Sequence, residues 1–326
     1  MPSSNAATIG GPIGTLVRTY FHLKPFLPHR LRWAMRRVRT PGILKRSQDA
    51  WPILESAGEA PADWSGWPDG KRFAFVLTHD VESADGVDKV RRLAELELET
   101  GFCSSFNFIP AGAYPDPVEL RSWLLANGFE IGVHDLEHDG RLFESREGFR
   151  RKARKINRYL NDWGAVGFRS GFMLRRLEWL HELELLYDSS TFDTDPFEPQ
   201  PEGTSTIFPF HIESTAGGYV ELPYTLPQDS TLFLLLREQD STIWKRKLDW
   251  IAEKGGLALV NIHPDYIDFS GGSPSRNRYP SRILRDFLDH VKDRYDVSYW
   301  NPLAKDLALW YASGSFPGDP SPPDHP

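Results

Sequence analysis

Residues 72–82 read RFAFVLTHDVE, and residues 83–101 read SADGVDKVRRLAELELETG. The first stretch is an apolar run that ends in Thr78, His79, Asp80 and, past Val81, Glu82. An apolar run without alternation fits a strand buried on both faces, as in a parallel sheet. The second stretch sets Val87, Val90, Ala94 and Leu98 at helical spacing and stops at Gly101. Strand and helix together make one β/α unit.

The unit recurs. Strands are predicted at CSSFNFIP (103–110), FEIGVHD (129–135), AVGFRSG (165–171), LLYDSS (185–190), YVELPYTLP (219–227), LALVNIHPD (257–265) and DVSYW (296–300). Helices are predicted over 116–128, along Phe149, Ala153, Ile156 and Leu160, over 174–184, and at 241–256, 281–295 and 302–312. Leu232–Leu236 is short enough to be a core strand, and 191–218 reads as loop. Alternating strands and helices imply an α/β fold with a mostly parallel sheet, here a distorted (β/α)7–8 barrel. Sites in such folds lie at the C-terminal ends of the strands.

The chain has 326 residues, 40% hydrophobic and 25% charged, enough for a sizeable core and against general disorder. Its single cysteine, Cys103, excludes a disulfide framework and any multi-cysteine metal site. No run approaches the ~20 apolar residues of a membrane span. The N-terminus lacks an apolar secretory core, so a cytoplasmic protein is expected. Charge is uneven. Residues 1–48 hold nine Lys or Arg and no Asp or Glu, which leaves 29 basic against 45 acidic residues, or −16, beyond them. Within 15–46 the cations interleave with Tyr20, Phe21, Phe26 and Trp33. Such an arm either contacts an anionic membrane surface peripherally, at its inner face, or packs on the body. The acidic body argues against nucleic acid, whose backbone needs a basic groove. The expected division is a basic aromatic arm (1–48), a linker or wrap (49–71), the α/β domain (72–312) and a disordered tail with five prolines (313–326). Trp51, Trp64 and Trp67 are expected to anchor the wrap.

Reactive residues fall at the predicted strand ends. They are Asp80 and Glu82, His134 and His138, Arg169, Asp188, and His263. His134 and His138, four apart in one turn, can face a single point. With Glu82 or Asp80 they make a two-His, one-carboxylate metal site with open positions. Asp80 and Glu82 alternate about Val81, so both can reach the mouth while Val81 turns to the wall. One binds metal and the other stays free as a base. His263, between an apolar strand and Pro264, suits proton transfer. Arg169 follows an apolar strand and would position Asp80 and lower its pKa.

These stretches, in this order, resemble the NodB-homology polysaccharide deacetylases, the metal-dependent family-four carbohydrate esterases, across residues 72–312. FVLTHDVE looks like the first motif, whose leading Asp is the base. HDLEHDG resembles the H-[ST]-x-x-H motif with its two metal ligands. FRSGF resembles R-x-P-Y, YDSSTFD stands where the fourth, pocket-lining motif falls, and LVNIHPDY resembles L-x-I-H. The resemblance implies Asp80 as base, His263 as general acid, Arg169 orienting the base, and Asp188 in the pocket. Glu82, His134 and His138 would then hold a divalent metal, zinc first, with cobalt or nickel as alternatives. Val81 stands where the family's second Asp usually binds metal. The D-[IV]-[DE] variant moves that ligand to Glu82. Asp265 or Asp188 would raise the pKa of His263, and a backbone N–H after Asp188 would help bind the oxyanion. The implied function is removal of an N-acetyl or other acyl group from a sugar or glycan, lipid-linked in one form, in surface-polysaccharide biosynthesis. Ser170-Gly171-Phe172 replaces x-P-Y, and Asp135 follows His134, which leaves the substrate open. A deformylase or other non-peptide C–N hydrolase, and a catalytically inactive glycan-binding relative, are the competing readings.

Overall fold

The computed structural model describes residues 11–214, 217–271 and 277–314. The expected disordered tail lies outside the described residues from 315 onward.

The chain starts with helices α1 (Thr15–Leu23) and α2 (His29–Arg46). The wrap follows, irregular apart from two short 3-10 turns. Its tryptophans dock: Trp67 is 1% exposed and donates to the Gly255 carbonyl at 2.8 Å, and Trp51 packs edge-on against Phe197. The elements of the body are β1 (Phe73–Val81), α3 (Ala84–Thr100), β2 (Ser105–Phe108), α4 (Val118–Ala126), β3 (Glu130–His134), α5 (Arg146–Trp163), β4 (Gly167–Arg169), α6 (Leu177–Leu180) and β5 (Tyr187–Asp188). They continue with β6 (Phe210–Ser214), β7 (Gly217–Glu221), α7 (Thr242–Lys254), β8 (Leu257–Ile262), β9 (Ile267–Asp268), β10 (Tyr279–Pro280), α8 (Ser281–Tyr295), β11 (Tyr299–Trp300) and α9 (Ala304–Ala312).

The repeating unit is marked at both ends by local chemistry. Ser83 and Ser145 cap α3 and α5 by accepting from the N–H three residues on, and Gly101 and Gly164 end these helices in the left-handed conformation. All nine residues of β1 are buried, as its apolar run requires. β1 pairs in parallel with β2 and β8, and the order runs on through β3, β4, β5 and β7. Among the described strands only β6 is antiparallel, paired with β7. Past β7 the chain touches β8 through one isolated parallel bridge, Leu226 to Val260.

Three expectations are corrected. The helix over 174–184 is one turn, α6, because Leu174 is extended and Arg176 is also non-helical, so the helix starts only at Leu177. The loop over 191–218 contains β6. Leu232–Leu236 lies in a π-helical segment, Ser230–Leu236, and not in a strand. Among the described residues, no helix is long and apolar enough to cross a membrane.

The arm lies against the body. Phe21 is 2% exposed and meets Phe172 at 4.8 Å between ring centres. A Cβ on Gly140 would stand 2.1 Å from Phe21, so only glycine leaves room for that ring. Arg37 donates to the Leu234 carbonyl at 3.2 Å.

Candidate metal and proton-transfer site

In β1 successive side chains alternate. Thr78 and Asp80 face inward, where the Arg169 guanidinium reaches both at 2.9 and 3.2 Å. His79 faces outward and meets Glu97 of α3 at 2.6 Å. The wall role expected of Val81 matches its full burial.

Asp80 is 1% exposed and densely held. Its Oδ1 accepts from Asn107 Nδ2 at 3.0 Å and from Arg169, and its Oδ2 accepts from Asn261 Nδ2 at 2.7 Å. Arg169 also donates to Ser189 through Nε and Nη2, each at 2.7 Å, and to Asn261 Oδ1 at 2.7 Å. Burial opposes charge on Asp80, but the adjoining Arg169 guanidinium, His263 and the Asn107 hydrogen bond outweigh it. They hold the carboxyl well below the usual range.

Glu82, His134 and His138 offer one ligand atom each, all within 4.8 Å of one another. His134 Nδ1 lies 3.0 Å from the Arg169 carbonyl. A carbonyl only accepts, so this contact fixes the tautomer with Nδ1–H donating and the Nε2 lone pair aimed at the site. Nε2 of His134 and Nε2 of His138 are both buried without a hydrogen-bond partner. Two orphaned imidazole nitrogens beside a carboxylate are the donor set of a divalent cation, and the residues fit one. Glu82 completes the set: its Oε1 is 3.2 Å from His138 Nε2, and its Oε2 accepts from Tyr266. Gly171 permits the crowding, since a Cβ there would stand 2.7 Å from the His138 ring. Phe172 stacks on His138 at 4.2 Å.

His263 comes from the end of β8. Its Nδ1 is 2.7 Å from Asp229 Oδ1, its backbone N–H donates to Asp229 Oδ2, and Tyr279 steadies the same carboxylate. Its Nε2 points into the site, 3.8 Å from Glu82. Burial disfavours the imidazolium, but Asp229 outweighs it and raises the pKa to about 10.

Asp80, Glu82, His134, His138 and His263 therefore line one cavity, with Arg169 directly beneath Asp80. Asp188 does not line it. Its carboxylate accepts from Ser190, whose Oγ takes the Ser170 N–H, so Asp188 braces the backbone beside Arg169. The partner of His263 is Asp229 and neither Asp265 nor Asp188. Asp265 is committed to Ser83 and to the Glu82 N–H. Asn107, Asp229, Asn261 and Tyr266 were not singled out by sequence. The strand-end rule would have reached Asp229, which closes YTLPQD (224–229). The other three have no signal without the fold.

No protein-family model matches the chain, and no curated protein matches it in sequence. Solved structures do resemble it. A protein from Mycobacterium smegmatis described as a candidate polysaccharide deacetylase superposes with a TM-score of 0.60 at 21% identity. That match covers 82% of this chain and 99% of the other. The Puue allantoinase superposes with a TM-score of 0.59 at 18% identity, covering 81% and 98%. At these identities the likeness is one of fold, and the chain has the NodB-type α/β fold of the polysaccharide deacetylases.

Proposed function

We propose that the protein is a metal-dependent hydrolase of non-peptide C–N bonds that removes the N-acetyl group of a sugar or glycan. The observation that carries this is the pair of unpartnered, buried imidazole nitrogens beside Glu82, flanked by a fixed carboxylate and a carboxylate-paired histidine. Glu82, His134 and His138 would hold the cation, proposed as zinc on the strength of its N/O donors. When bound, it supplies Lewis-acid polarisation of the acyl oxygen and lowers the pKa of a coordinated water.

The chain's own residues carry the protons. Asp80 takes one from the attacking water: its Oδ2 accepts a single hydrogen bond and keeps a lone pair for this. Arg169 and the two asparagines fix its orientation. Water oxygen bonds to the acyl carbon, the C–N bond breaks, and His263 Nε2–H delivers its proton to the departing amine. Asp229 keeps that imidazole charged beforehand. Acetate and the free amino sugar result.

Elemental analysis and acetate release from N-acetylglucosamine derivatives test the reading together. About one zinc per chain is expected, lost in His134→Ala and His138→Ala. Asp80→Asn should retain the metal and lose roughly 10²–10⁴ in rate. A metal-free protein that takes up none, or a fully active Asp80→Asn, overturns it. The allantoinase likeness favours one second reading, a C–N hydrolase acting on a formamide or ring amide. Formate or a ring-opened acid in place of acetate would select it.

The same proposal puts the protein in surface-glycan biosynthesis, in the cytoplasm at the inner membrane face. The arm supports this placement: it exposes Leu16 (87%), Phe26 (82%) and Val38 (82%) among its cations, a pattern suited to an anionic bilayer.

A further inference from the structure

The cavity is larger than deacetylation of one sugar requires. It holds about 1430 Å³, against roughly 300–1,000 Å³ for a small-molecule pocket. One end carries Asp80, Glu82 and the histidines. The other is walled by the arm, which brings Lys24, Arg32, Arg36 and Arg39 to the same space. These are four cations on a body of net −16. Among the described residues, none of the four has a carboxylate within ion-pair distance, although ion pairs are common elsewhere on the surface. Glu198 on the same wall, whose carboxylate accepts from Gln228 Nε2 at 2.9 Å, stays beyond that distance from Arg36. Burial lowers the Lys24 pKa, Glu82 and Asp139 draw on its charge, and Arg32 and Arg36 stand near enough to repel it. The carboxylates Asp80, Glu82, Asp85 and Asp265 line the reacting end of the cavity, so the cationic wall lies at the arm end. Like charges gathered in a cleft concentrate a field that favours an anion.

The cluster is also close to the reacting end. Lys24 Nζ is 3.5 Å from the centre of the Phe172 ring, and Phe172 stacks on His138. One aromatic ring thus separates the first cation from a candidate metal ligand, roughly the breadth of a sugar. Arginine forks suit the oxygens of a phosphate, which they can grip with two parallel bonds.

We propose that the arm-borne wall of the cavity is a phosphate subsite, so that the substrate is an acylated amino sugar carrying a phosphate ester, not a neutral polymer. The identity of the bond cleaved rests on the deacetylase reading. The phosphate subsite does not, and it is tested by binding alone. Full-length protein is titrated calorimetrically with N-acetylglucosamine, N-acetylglucosamine 1-phosphate and inorganic phosphate. Vesicle sedimentation is run in parallel with phosphatidylcholine alone and with added phosphatidic acid. The sugar phosphate should bind at least about tenfold more tightly than the sugar, weaken with salt, and lose about tenfold in Arg32→Gln and in Arg36→Gln. Arg154→Gln, which removes one charge away from the cavity, should leave binding unchanged. If the phosphate must come on a lipid, only phosphatidic-acid vesicles will be bound, and the same two variants will release them. Equal affinity for both sugars together with vesicle binding indifferent to Arg32→Gln and Arg36→Gln overturns the subsite. Absence of acetate release alongside phosphate-dependent binding would overturn the deacetylase reading and leave the subsite standing.

Discussion

The pairing of His263 with Asp229 decides when the proposed acid can work. An unperturbed imidazole, with a pKa of ~6.5, is largely neutral above pH 7. Burial would lower His263 further, but the Asp229 carboxylate at 2.7 Å reverses this and keeps it protonated up to about pH 10. Its charged form is the donor, so activity through this group is present below that pKa and lost as pH rises through it. Asp229→Asn keeps the shape of the contact and removes the charge. The pKa should then fall, because the burial remains and only Glu82 and Asp80 still oppose it. The alkaline limb of the kcat/KM profile should move down from near pH 10 toward pH 7, and activity at pH 8 should drop. A limb that stays in place would mean that another group donates the proton.

At the scale of elements, β1 and α3 were legible because a buried strand and an amphipathic helix differ in period, and Ser83 and Gly101 mark the ends of α3. The apolar run Leu232–Leu236 was not: a short apolar run reads alike as strand or as buried helix, and here it is a π-helical segment. The site divides the same way. Residues at strand ends were visible as types in a pattern. Asn107, Asn261 and Tyr266 were not, because their roles exist only once neighbouring strands meet Asp80 and Glu82. Packing of the arm on the body was one of the two readings of its sequence, but the contacts that hold it were hidden. They depend on Phe21 finding Phe172 and the space over Gly140, which are more than a hundred residues away. Phe21 is thus the arm's main anchor. Phe21→Ala forfeits a buried aromatic, typically worth about 3–5 kcal/mol, and this loss falls on a segment with few other buried side chains. Amide hydrogen exchange over 15–46 should rise by at least tenfold while β1 stays protected. Unchanged exchange there would show that the arm is held by something other than this ring.

Across the whole molecule, the candidate cation site joins parts of the chain that are far apart in sequence. Glu82 follows β1, His134 ends β3, and His138 follows in a left-handed turn. Without a cation, two buried imidazole nitrogens make no hydrogen bond, a cost the folded state carries and the unfolded state does not. A cation bound by the folded chain alone removes that cost and stabilises by mass action, by about 2.7 kcal/mol at a hundredfold excess over Kd. For a chain of this size roughly 2–4 °C per kcal/mol is an upper range, so zinc should raise Tm by ~3–8 °C. The effect should vanish in His134→Ala and His138→Ala and persist in Asp80→Asn, which lies outside the donor set. Differential scanning calorimetry of the metal-stripped and zinc-supplemented proteins measures this without any substrate. An equal rise in the histidine variants would place the cation elsewhere, and the two imidazoles would then need another account of why they converge unpartnered on Glu82.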